Sequence, residues 1–371
     1  MDKQTTNRWK TLAIILGCLL VLVSSLYAAG VGWKTKDNVP EETVEPAEDE
    51  ISWLSLWKDD AQAKVWLEAY MKDITDESSP DYIPVENRIA VFDLDGTLFC
   101  ETDPVYFDHM LFMHRVLEDP NHTASEFELQ VAEKVQEFID TGSYPEGLDN
   151  LHGQGVASAF QGMTIREFYD YVKAYGNTPS PGYTNMNRGD AFYLPMVEII
   201  EYLQENSFQT YIVSGTDRLI VRGVMEGLSF LHIPANQIIG SDELLVTPNQ
   251  GDTDGLDYVY TDADELILAG EFIIKNLKMN KVTVIAQEIG VQPVLAFGNS
   301  SGDASMAKYT LSNNPYKAMA FMLCCDDTVR ENGDEAKAAK MAKTCEENGW
   351  IPISMKNDWL TIYGDEVQRT K

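Results

Sequence analysis

The sequence predicts an α/β fold with a doubly wound, mostly parallel sheet and a helical insertion after the first strand. Three short apolar segments, 88–93, 209–214 and 293–298, have the composition of buried parallel strands, and the strands end in the polar residues Asp93, Ser214 and Asn299. Helical patterns precede the second and third segments, and helices that alternate with apolar strands indicate a doubly wound sheet. We therefore expect the functional residues at the carboxyl ends of these strands.

The helices follow from apolar residues that recur at helical spacing. An amphipathic helix is predicted over 53–74, before the first strand. The long segment between the first and second strands contains two further helical patterns, at 106–118 and 124–141. Helices over 195–205 and 282–289 lead into the second and third strands. The sequence thus predicts a core whose helices and strands alternate, interrupted by a mostly helical insertion.

The N-terminal residues have the pattern of a membrane anchor or a secretory signal peptide. Three basic residues precede an uncharged run over 11–33, which as a helix rising about 1.5 Å per residue could cross a bilayer. The positive flank predicts that the rest of the chain lies outside the cytoplasm. Small residues at 28–30 also suit a cleavage site, so a retained anchor and a cleaved signal both stay open. We predict an extracytoplasmic protein, membrane-anchored or secreted.

The composition is that of an acidic globular protein. The 371 residues include 59 Asp and Glu against 28 Lys and Arg, a formal net charge of −31, and 44% of them are hydrophobic. This charge argues against nucleic acid and anionic lipid as partners, because phosphates are bound by clustered Lys and Arg. In an extracytoplasmic protein a disulfide from Cys345 to Cys324 or Cys325 is one option, and free buried thiols are the other.

The predicted organisation has five segments. They are a signal peptide or membrane anchor over 1–36, an acidic linker over 37–50, the first part of the core over 51–98, a helical cap over 99–190 and the second part of the core over 191–371. The linker is predicted from its prolines, its acids and its near lack of apolar residues.

Two carboxylates follow the first strand in the sequence Asp-Leu-Asp-Gly-Thr. Gly96 lets the chain turn, so that the side chains of Asp93 and Asp95 face one pocket. One carboxylate can attack phosphorus and form an aspartyl-phosphate, and the other can protonate the leaving alkoxide and then activate water. A divalent ion with oxygen ligands, such as Mg²⁺, would neutralise the acids and the phosphate together. The pair is therefore compatible with hydrolysis of a phosphomonoester, and a turn held by Asx-type hydrogen bonds is the alternative for this motif taken alone.

Four motifs together resemble those of the haloacid dehalogenase (HAD) superfamily of phosphohydrolases, in its phosphoserine-phosphatase-like branch. They are Asp-x-Asp-Gly-Thr from Asp93, Ser-Gly-Thr from Ser214, the lysine Lys281 and Gly-Asn-Ser-Ser-Gly-Asp over 298–303. The resemblance covers about 50–371. It implies a Rossmann-like core with a helical cap inserted between the first and second motifs.

The resemblance also implies a role for each motif residue. The assigned residues are Asp93 as nucleophile, Asp95 as general acid and base, Ser214, Gly215 and Lys281 around the phosphoryl group, and Asp93, Asp95, Asn299 and Asp303 around Mg²⁺. Asn299 departs from the family pattern, which has Asp at this position. Its amide oxygen can still bind Mg²⁺ without contributing a charge, so we expect weaker ion affinity. Whether Asn299 or Asp303 contacts the ion directly stays open.

Several residues near the first motif and in the predicted cap are candidates for substrate contact. Glu101 could bind a cationic head group or could be a solvated acid. The cap candidates are Tyr106, Phe107, Tyr183 and Arg188, for which packing inside the cap is the more common role.

We therefore expect an extracytoplasmic, Mg²⁺-dependent phosphomonoester hydrolase for small organic phosphates of the phosphoserine or phosphocholine kind. Its partners would be that substrate and, if the N-terminal segment is kept, the membrane. Two alternatives stay open, namely a non-catalytic membrane-anchored binding module on the same fold and a phosphotransferase. Asp95 argues against dehalogenation, because cleavage of a carbon–halogen bond needs no acid for an alkoxide.

Overall fold

The computed structural model describes residues 53–226 and 228–370. The predicted signal or anchor over 1–36 and the acidic linker over 37–50 lie outside the described residues. Within the described ranges, no helix combines the length and the apolar character needed to cross a membrane.

A mostly parallel sheet forms the core of the described part. Its strands are β1 (Ile89–Phe92), β3 (Gln209–Asp217), β4 (Ile238–Val246), β5 (Ile267–Ile274), β6 (Leu295–Gly298), β7 (Met319–Cys324) and β8 (Ile351–Ser354). Their spatial order is β5-β4-β3-β1-β6-β7-β8. Neighbouring strands run parallel except for β4 and β5, which pair antiparallel. The short strands β2 (Tyr183–Thr184) and β9 (Gln368–Arg369) form a separate antiparallel pair.

The central strands are buried along their whole length. Every residue of β1 and of β6 is buried. Phe92, Phe297 and Phe321 are register partners on adjacent strands, and their rings stack with centroid separations of 4.4 and 4.9 Å. Strands that are covered on both faces have continuous apolar sequences rather than alternating ones. The prediction of an α/β fold with a mostly parallel sheet is therefore confirmed.

Helices flank this sheet and fill the long insertion after β1. They are α1 (Gln62–Thr75), α2 (Phe107–Leu117), α3 (Glu126–Thr141), α4 (Leu148–Ala159), α5 (Ile165–Gly176), α6 (Leu194–Glu205), α7 (Arg218–Glu226), α8 (Met279–Val284), α9 (Ala304–Leu311), α10 (Glu335–Asn348) and α11 (Met355–Asp358). The helices α2 to α5 are called the inserted helices below. They lie where the sequence predicts a helical cap, and the exact domain boundaries stay predictions.

The helix predicted over 53–74 is wrong in its first part. Helix α1 begins at Gln62, and turns and a strand bridge precede it. Trp57 forms a β-bridge with Trp359, and its indole N–H donates to the carbonyl oxygen of Pro195 at 3.0 Å. The apolar residues before Gln62 therefore pack against distant parts of the chain, and this packing outweighs their helical spacing.

The second predicted strand is longer than expected. We predicted that it ends at Ser214, but β3 continues to Asp217, which pairs with Ser241 of β4. The β3–β4 register shifts between Val213 and Asp217. Ser214 thus lies inside an irregular stretch of β3 and not at its end.

A buried carboxyl pair occupies β3 and β4. Glu243 on β4 is buried, and neither of its carboxyl oxygens has a hydrogen-bond partner among the described residues. Burial, and after it the charge of Asp217, raises the pKa of Glu243 to about 9. Burial likewise raises the pKa of Asp217 to about 7. Ionisation of Glu243 therefore opposes folding.

We predict that Glu243→Gln stabilises the protein increasingly as the pH rises. The pKa of Glu243 is about 9 in the folded chain and about 4.3 in an unfolded chain. The protonated carboxyl therefore contributes stability that is complete below about pH 4 and is lost as the pH rises toward 9. Glutamine does not ionise, so the gain in unfolding free energy should be larger at pH 8 than at pH 5 in urea titrations.

The matched control is Glu271→Gln, which changes an exposed glutamate on β5. The difference in unfolding free energy between Glu271→Gln and the unsubstituted protein should be the same at pH 5 and at pH 8. A pH-independent offset for Glu243→Gln would contradict a raised pKa at this position.

Candidate active site

Asp93 and Asp95 lie directly beyond the carboxyl end of β1, at the centre of the sheet. β3 and β6 pair with β1 on its two sides, so the second and fourth motifs adjoin the first. The turn after β1 requires a glycine, since Gly96 has φ +77°. A Cβ atom at this position would lie 1.9 Å from the side-chain nitrogen of Asn299. The first and fourth motifs are therefore in close contact.

Lys281 joins three of the four motifs. Its side chain is fully buried, and Nζ donates to Oδ1 of Asp93 at 2.6 Å and to Oδ1 of Asp303 at 2.7 Å. Burial by itself lowers the pKa of a lysine, but the charges of Asp303 and Asp93 outweigh this effect and raise the pKa of Lys281. The ammonium group is therefore charged and lies between two carboxylates.

The loop after β6 is shaped by Asp303. Its Oδ2 accepts hydrogen bonds from the backbone N–H groups of Asn299 at 3.1 Å and Ser300 at 3.0 Å. Asn299 in turn donates its side-chain N–H to Oε1 of Glu101 at 3.1 Å. The structure thus brings Asn299, Asp303 and Glu101 to the site. Glu101 is partly buried and hydrogen-bonded, and it is therefore not a freely solvated acid.

The carboxyl groups of the site bind protons more tightly than ordinary carboxyl groups do. Burial and then the charge of Asp303 raise the pKa of Asp93 to about 6. Burial and then the charge of Asp108 raise the pKa of Asp95 to about 8. Burial and then the charge of Asp95 raise the pKa of Glu101 to about 8. The site therefore holds more acid groups than its buried lysine can neutralise.

This excess of carboxylates fits a divalent cation. The candidate donors are oxygen atoms, from the carboxylates of Asp93 and Asp303, the amide of Asn299 and the backbone of Asp95. Oxygen donors of this kind are those that Mg²⁺ prefers in proteins. A divalent ion would offset the negative charge of these clustered carboxylates. The donor set is thus compatible with the predicted Mg²⁺, whose ligands stay a prediction.

The second motif contributes a residue that the sequence analysis missed. Ser214 is fully buried, and its Oγ accepts the backbone N–H of Thr216 at 3.0 Å. Thr216 and Gly215 line the cavity over Asp93. The hydroxyl of Thr216 donates to Oδ2 of Asp95 at 2.7 Å. Thr216 is the third residue of the Ser-Gly-Thr motif, so the motif itself was the signal that could have identified it.

A cavity of about 280 Å³ lies over these residues. The inserted helices and the loops beside them contribute acids, aromatic rings and an imidazole to its wall, namely Tyr106, Asp108, His109, Tyr144 and Asp149. Lys275 and Lys278, which precede α8, line it as well. The cavity thus has acidic groups on both sides, aromatic groups on the side of the inserted helices, and two lysines in its wall.

Tyr106 lines this cavity, whereas the other predicted cap contacts lie elsewhere. Phe107 packs edge-on against Phe99, with 5.8 Å between ring centroids. The guanidinium of Arg188 lies over the ring of Tyr175, 5.1 Å from its centroid. The hydroxyl of Tyr183 donates to the buried carboxylate of Glu331. Phe107 and Tyr183 are therefore buried in the protein, and the half-buried Arg188 packs on Tyr175.

No cysteine forms a disulfide in the described part of the chain. The cysteines at 100, 324, 325 and 345 are free thiols. Burial raises the pKa of Cys345 to about 11 and that of Cys324 to about 12. Since the thiolate is the reactive form, these two thiols are unreactive at neutral pH.

The mostly parallel sheet with an acid cluster at the end of its central strand defines a class of α/β enzymes with carboxylate active sites. The sequence model of the haloacid dehalogenase-like hydrolase family matches residues 90–308, which include all four motifs. The match covers more than half of the chain, and the chain therefore belongs to this family. The predictions of a HAD-type family and of a hydrolytic enzyme are confirmed.

Several solved structures are similar to the chain at low sequence identity. A conserved protein of unknown function from Anaerococcus prevotii is 15% identical with a TM-score of 0.48, and the match covers 81% of this chain and 95% of that one. Cytosolic 5'-nucleotidase IIIB bound to cytidine is 14% identical with a TM-score of 0.46, and the match covers 76% of this chain and 84% of that one. A phosphoserine phosphohydrolase-like protein from Francisella tularensis is 14% identical with a TM-score of 0.35, and the match covers 68% of this chain and 92% of that one. No curated protein matches the chain.

Proposed function

We propose that the protein is a Mg²⁺-dependent phosphomonoester hydrolase that works through an aspartyl-phosphate on Asp93. The contact of Lys281 with Asp93 and Asp303 carries the proposal, because it brings three motifs together at one buried point. Family membership supports hydrolysis in general. The paired carboxylates of Asp93 and Asp95 support phosphate esters in particular.

Asp93 has the position and the charge of a nucleophile. One of its oxygens accepts from Lys281, and the other accepts from the hydroxyl of Thr97 at 3.2 Å. Its pKa of about 6, raised by burial and by Asp303, leaves most of the carboxylate ionised at neutral pH. Attack by this carboxylate forms a bond from oxygen to phosphorus and breaks the bond from phosphorus to the leaving alkoxide. Water then cleaves the acyl phosphate, which releases phosphate and restores Asp93.

Asp95 has the pKa of a general acid. Its value of about 8, raised by burial and by Asp108, keeps the carboxyl protonated at pH 7. It can therefore give its proton to the leaving alkoxide and then, as a carboxylate, accept a proton from the attacking water. The hydrogen bond from Thr216 holds one of its oxygens and so limits the orientation of the carboxyl group.

The predicted metal ligands include the nucleophile itself. Asp93, the backbone carbonyl of Asp95 and either Asn299 or Asp303 would hold Mg²⁺. When bound, the ion would supply positive charge against the phosphate and the clustered carboxylates. Lys281 would hold one phosphoryl oxygen as negative charge builds in the transition state.

We extend the proposal to small esters with a positively charged head group, as in phosphoserine or phosphocholine. A cavity of about 280 Å³ is near the lower end for small-molecule sites. Tyr106, Tyr144 and Asp149 line it, and the Tyr144 hydroxyl donates to Oδ1 of Asp149 at 2.8 Å. Aromatic faces and carboxylates attract ammonium groups. Lys275 and Lys278 of the same cavity can attract the phosphate.

The N-terminal sequence supports the proposal that the reaction occurs outside the cytoplasm. Its basic flank and uncharged run support an extracytoplasmic protein that is membrane-anchored or secreted. The membrane is then a partner only if residues 1–36 are retained. Cell fractionation with N-terminal sequencing of the mature chain decides this, and a cytoplasmic chain would contradict the proposal.

The proposed reaction predicts that Asp93→Asn removes the activity of the full chain on p-nitrophenyl phosphate. Asparagine cannot form the acyl phosphate, so we expect a loss in kcat of at least about 10³-fold. Chelation of Mg²⁺ should also remove the activity of the unsubstituted protein. The measurement is the steady-state release of p-nitrophenol with and without Mg²⁺.

The control for this variant is Asp217→Asn, which changes a buried carboxylate of β3 that caps α7 through the N–H of Leu219. It should keep the activity. An unsubstituted rate no higher than that of Asp93→Asn would favour a non-catalytic binding module. Transfer of phosphate to added glycerol in preference to water would favour a phosphotransferase.

The proposed head-group site predicts a preference for ammonium-bearing esters. We expect kcat/KM for phosphoserine and phosphocholine to exceed that for glycerol 3-phosphate by about 10-fold or more, since one cation–π or charge contact contributes about 1–2 kcal/mol. Asp149→Asn should reduce this preference, and Glu146→Gln, at an exposed position nearby, should not. Equal or faster hydrolysis of glycerol 3-phosphate would overturn the head-group assignment.

A further inference from the structure

Three buried side chains with metal-binding atoms meet within the inserted helices. Asp108 and His109 lie in the first turn of α2, and His152 lies on α4. Oδ1 of Asp108 is 2.7 Å from Nδ1 of His109, and Oδ2 is 3.7 Å from Nδ1 of His152. One potential ligand atom of each residue lies within 4.8 Å of the other two. The carboxylate therefore faces both imidazoles at once.

The burial of this cluster is not explained by its hydrogen bonds. Asp108 and His109 are 3% exposed and His152 is 1% exposed. Within the described part of the chain, Nε2 of His109 and Nε2 of His152 have no hydrogen-bond partner. Polar atoms that are buried without a partner cost free energy, so such sites call for a compensating interaction. An ion bound by Nδ1 of both rings would add such an interaction for the rings, while their Nε2 atoms would stay without a partner.

The distances are close to those of a tetrahedral site. Zinc ligands lie about 2.0–2.1 Å from the ion, so two of them are roughly 3.3 Å apart. The separations of 2.7 and 3.7 Å from Asp108 to His109 and His152 bracket that value. The two rings are stacked, with 3.8 Å between centroids and 16° between planes. The two stacked rings would have to tilt apart so that the lone pairs of both Nδ1 atoms point at one ion.

We propose that Asp108, His109 and His152 form a second metal site, which takes a divalent transition metal of the zinc class. Two nitrogens and one oxygen suit Zn²⁺ or Co²⁺, whereas the all-oxygen site around Asp93 suits Mg²⁺. The ion would link α2 to α4 beside the cavity, since Asp108 and His109 line its wall. Three protein ligands leave a fourth position for water or a substrate group.

The experiment uses the full chain, stripped of metal and held in a large excess of Mg²⁺ to occupy the oxygen site. Titration with Co²⁺ should show uptake of one equivalent, with visible d–d absorption. Zn²⁺ should displace the bound Co²⁺ and remove this absorption. His152→Gln removes a direct ligand, so it should lower the Co²⁺ affinity by more than the loss of a residue that only hydrogen-bonds to a ligand. That loss costs roughly 10- to 100-fold. The matched control is His114→Gln on the same helix α2, where the imidazole bonds the exposed Glu118. It should bind Co²⁺ like the unsubstituted protein.

A second measurement needs no variant and decides the matter if His152→Gln does not fold. X-ray absorption of the Zn²⁺-loaded, unsubstituted protein should show two imidazoles at about 2.0–2.1 Å from zinc. A shell of oxygen atoms alone would overturn the proposal. So would the absence of Co²⁺ uptake in Mg²⁺, or equal affinity in folded His152→Gln and His114→Gln.

Discussion

The site depends on one buried ammonium group that lies between two carboxylates. Lys281 holds Asp93 at the end of β1 and Asp303 beyond β6, although 188 and 22 residues separate it from them in sequence. Removal of one partner from a buried ion pair typically costs about 3–5 kcal/mol, because the remaining charge is left uncompensated. The alignment of the central strands is thus coupled to the geometry of the acid cluster.

The same burial separates the pKa values of the two carboxyl groups in the first motif. Asp93 touches the lysine and has a pKa of about 6, whereas Asp95 bonds Thr216 and has a pKa of about 8. At neutral pH one group is largely ionised and the other is protonated. Pairs of titratable groups whose environments push their pKa values apart can act as nucleophile and acid in one reaction.

Sequence reasoning succeeded where local pattern and tertiary structure agree. The apolar segments of β1 and β6 and the motif residues Asp93 and Lys281 lie as expected, because fully buried strands need continuous apolar sequence. It failed for β4 and β5, which have partly exposed residues and a long polar connection and so lack that signal. The contact between Asp108 and His152 depends on the packing of two helices, and no spacing in the sequence reports it.

Reduction of the working enzyme with borohydride tests the central claim most directly. Borohydride converts an acyl phosphate on aspartate to homoserine, which mass spectrometry can place in the sequence. During turnover of a phosphate ester, the account predicts this conversion at Asp93 and at no other aspartate. Conversion elsewhere, or rapid turnover with position 93 unmodified, would contradict it.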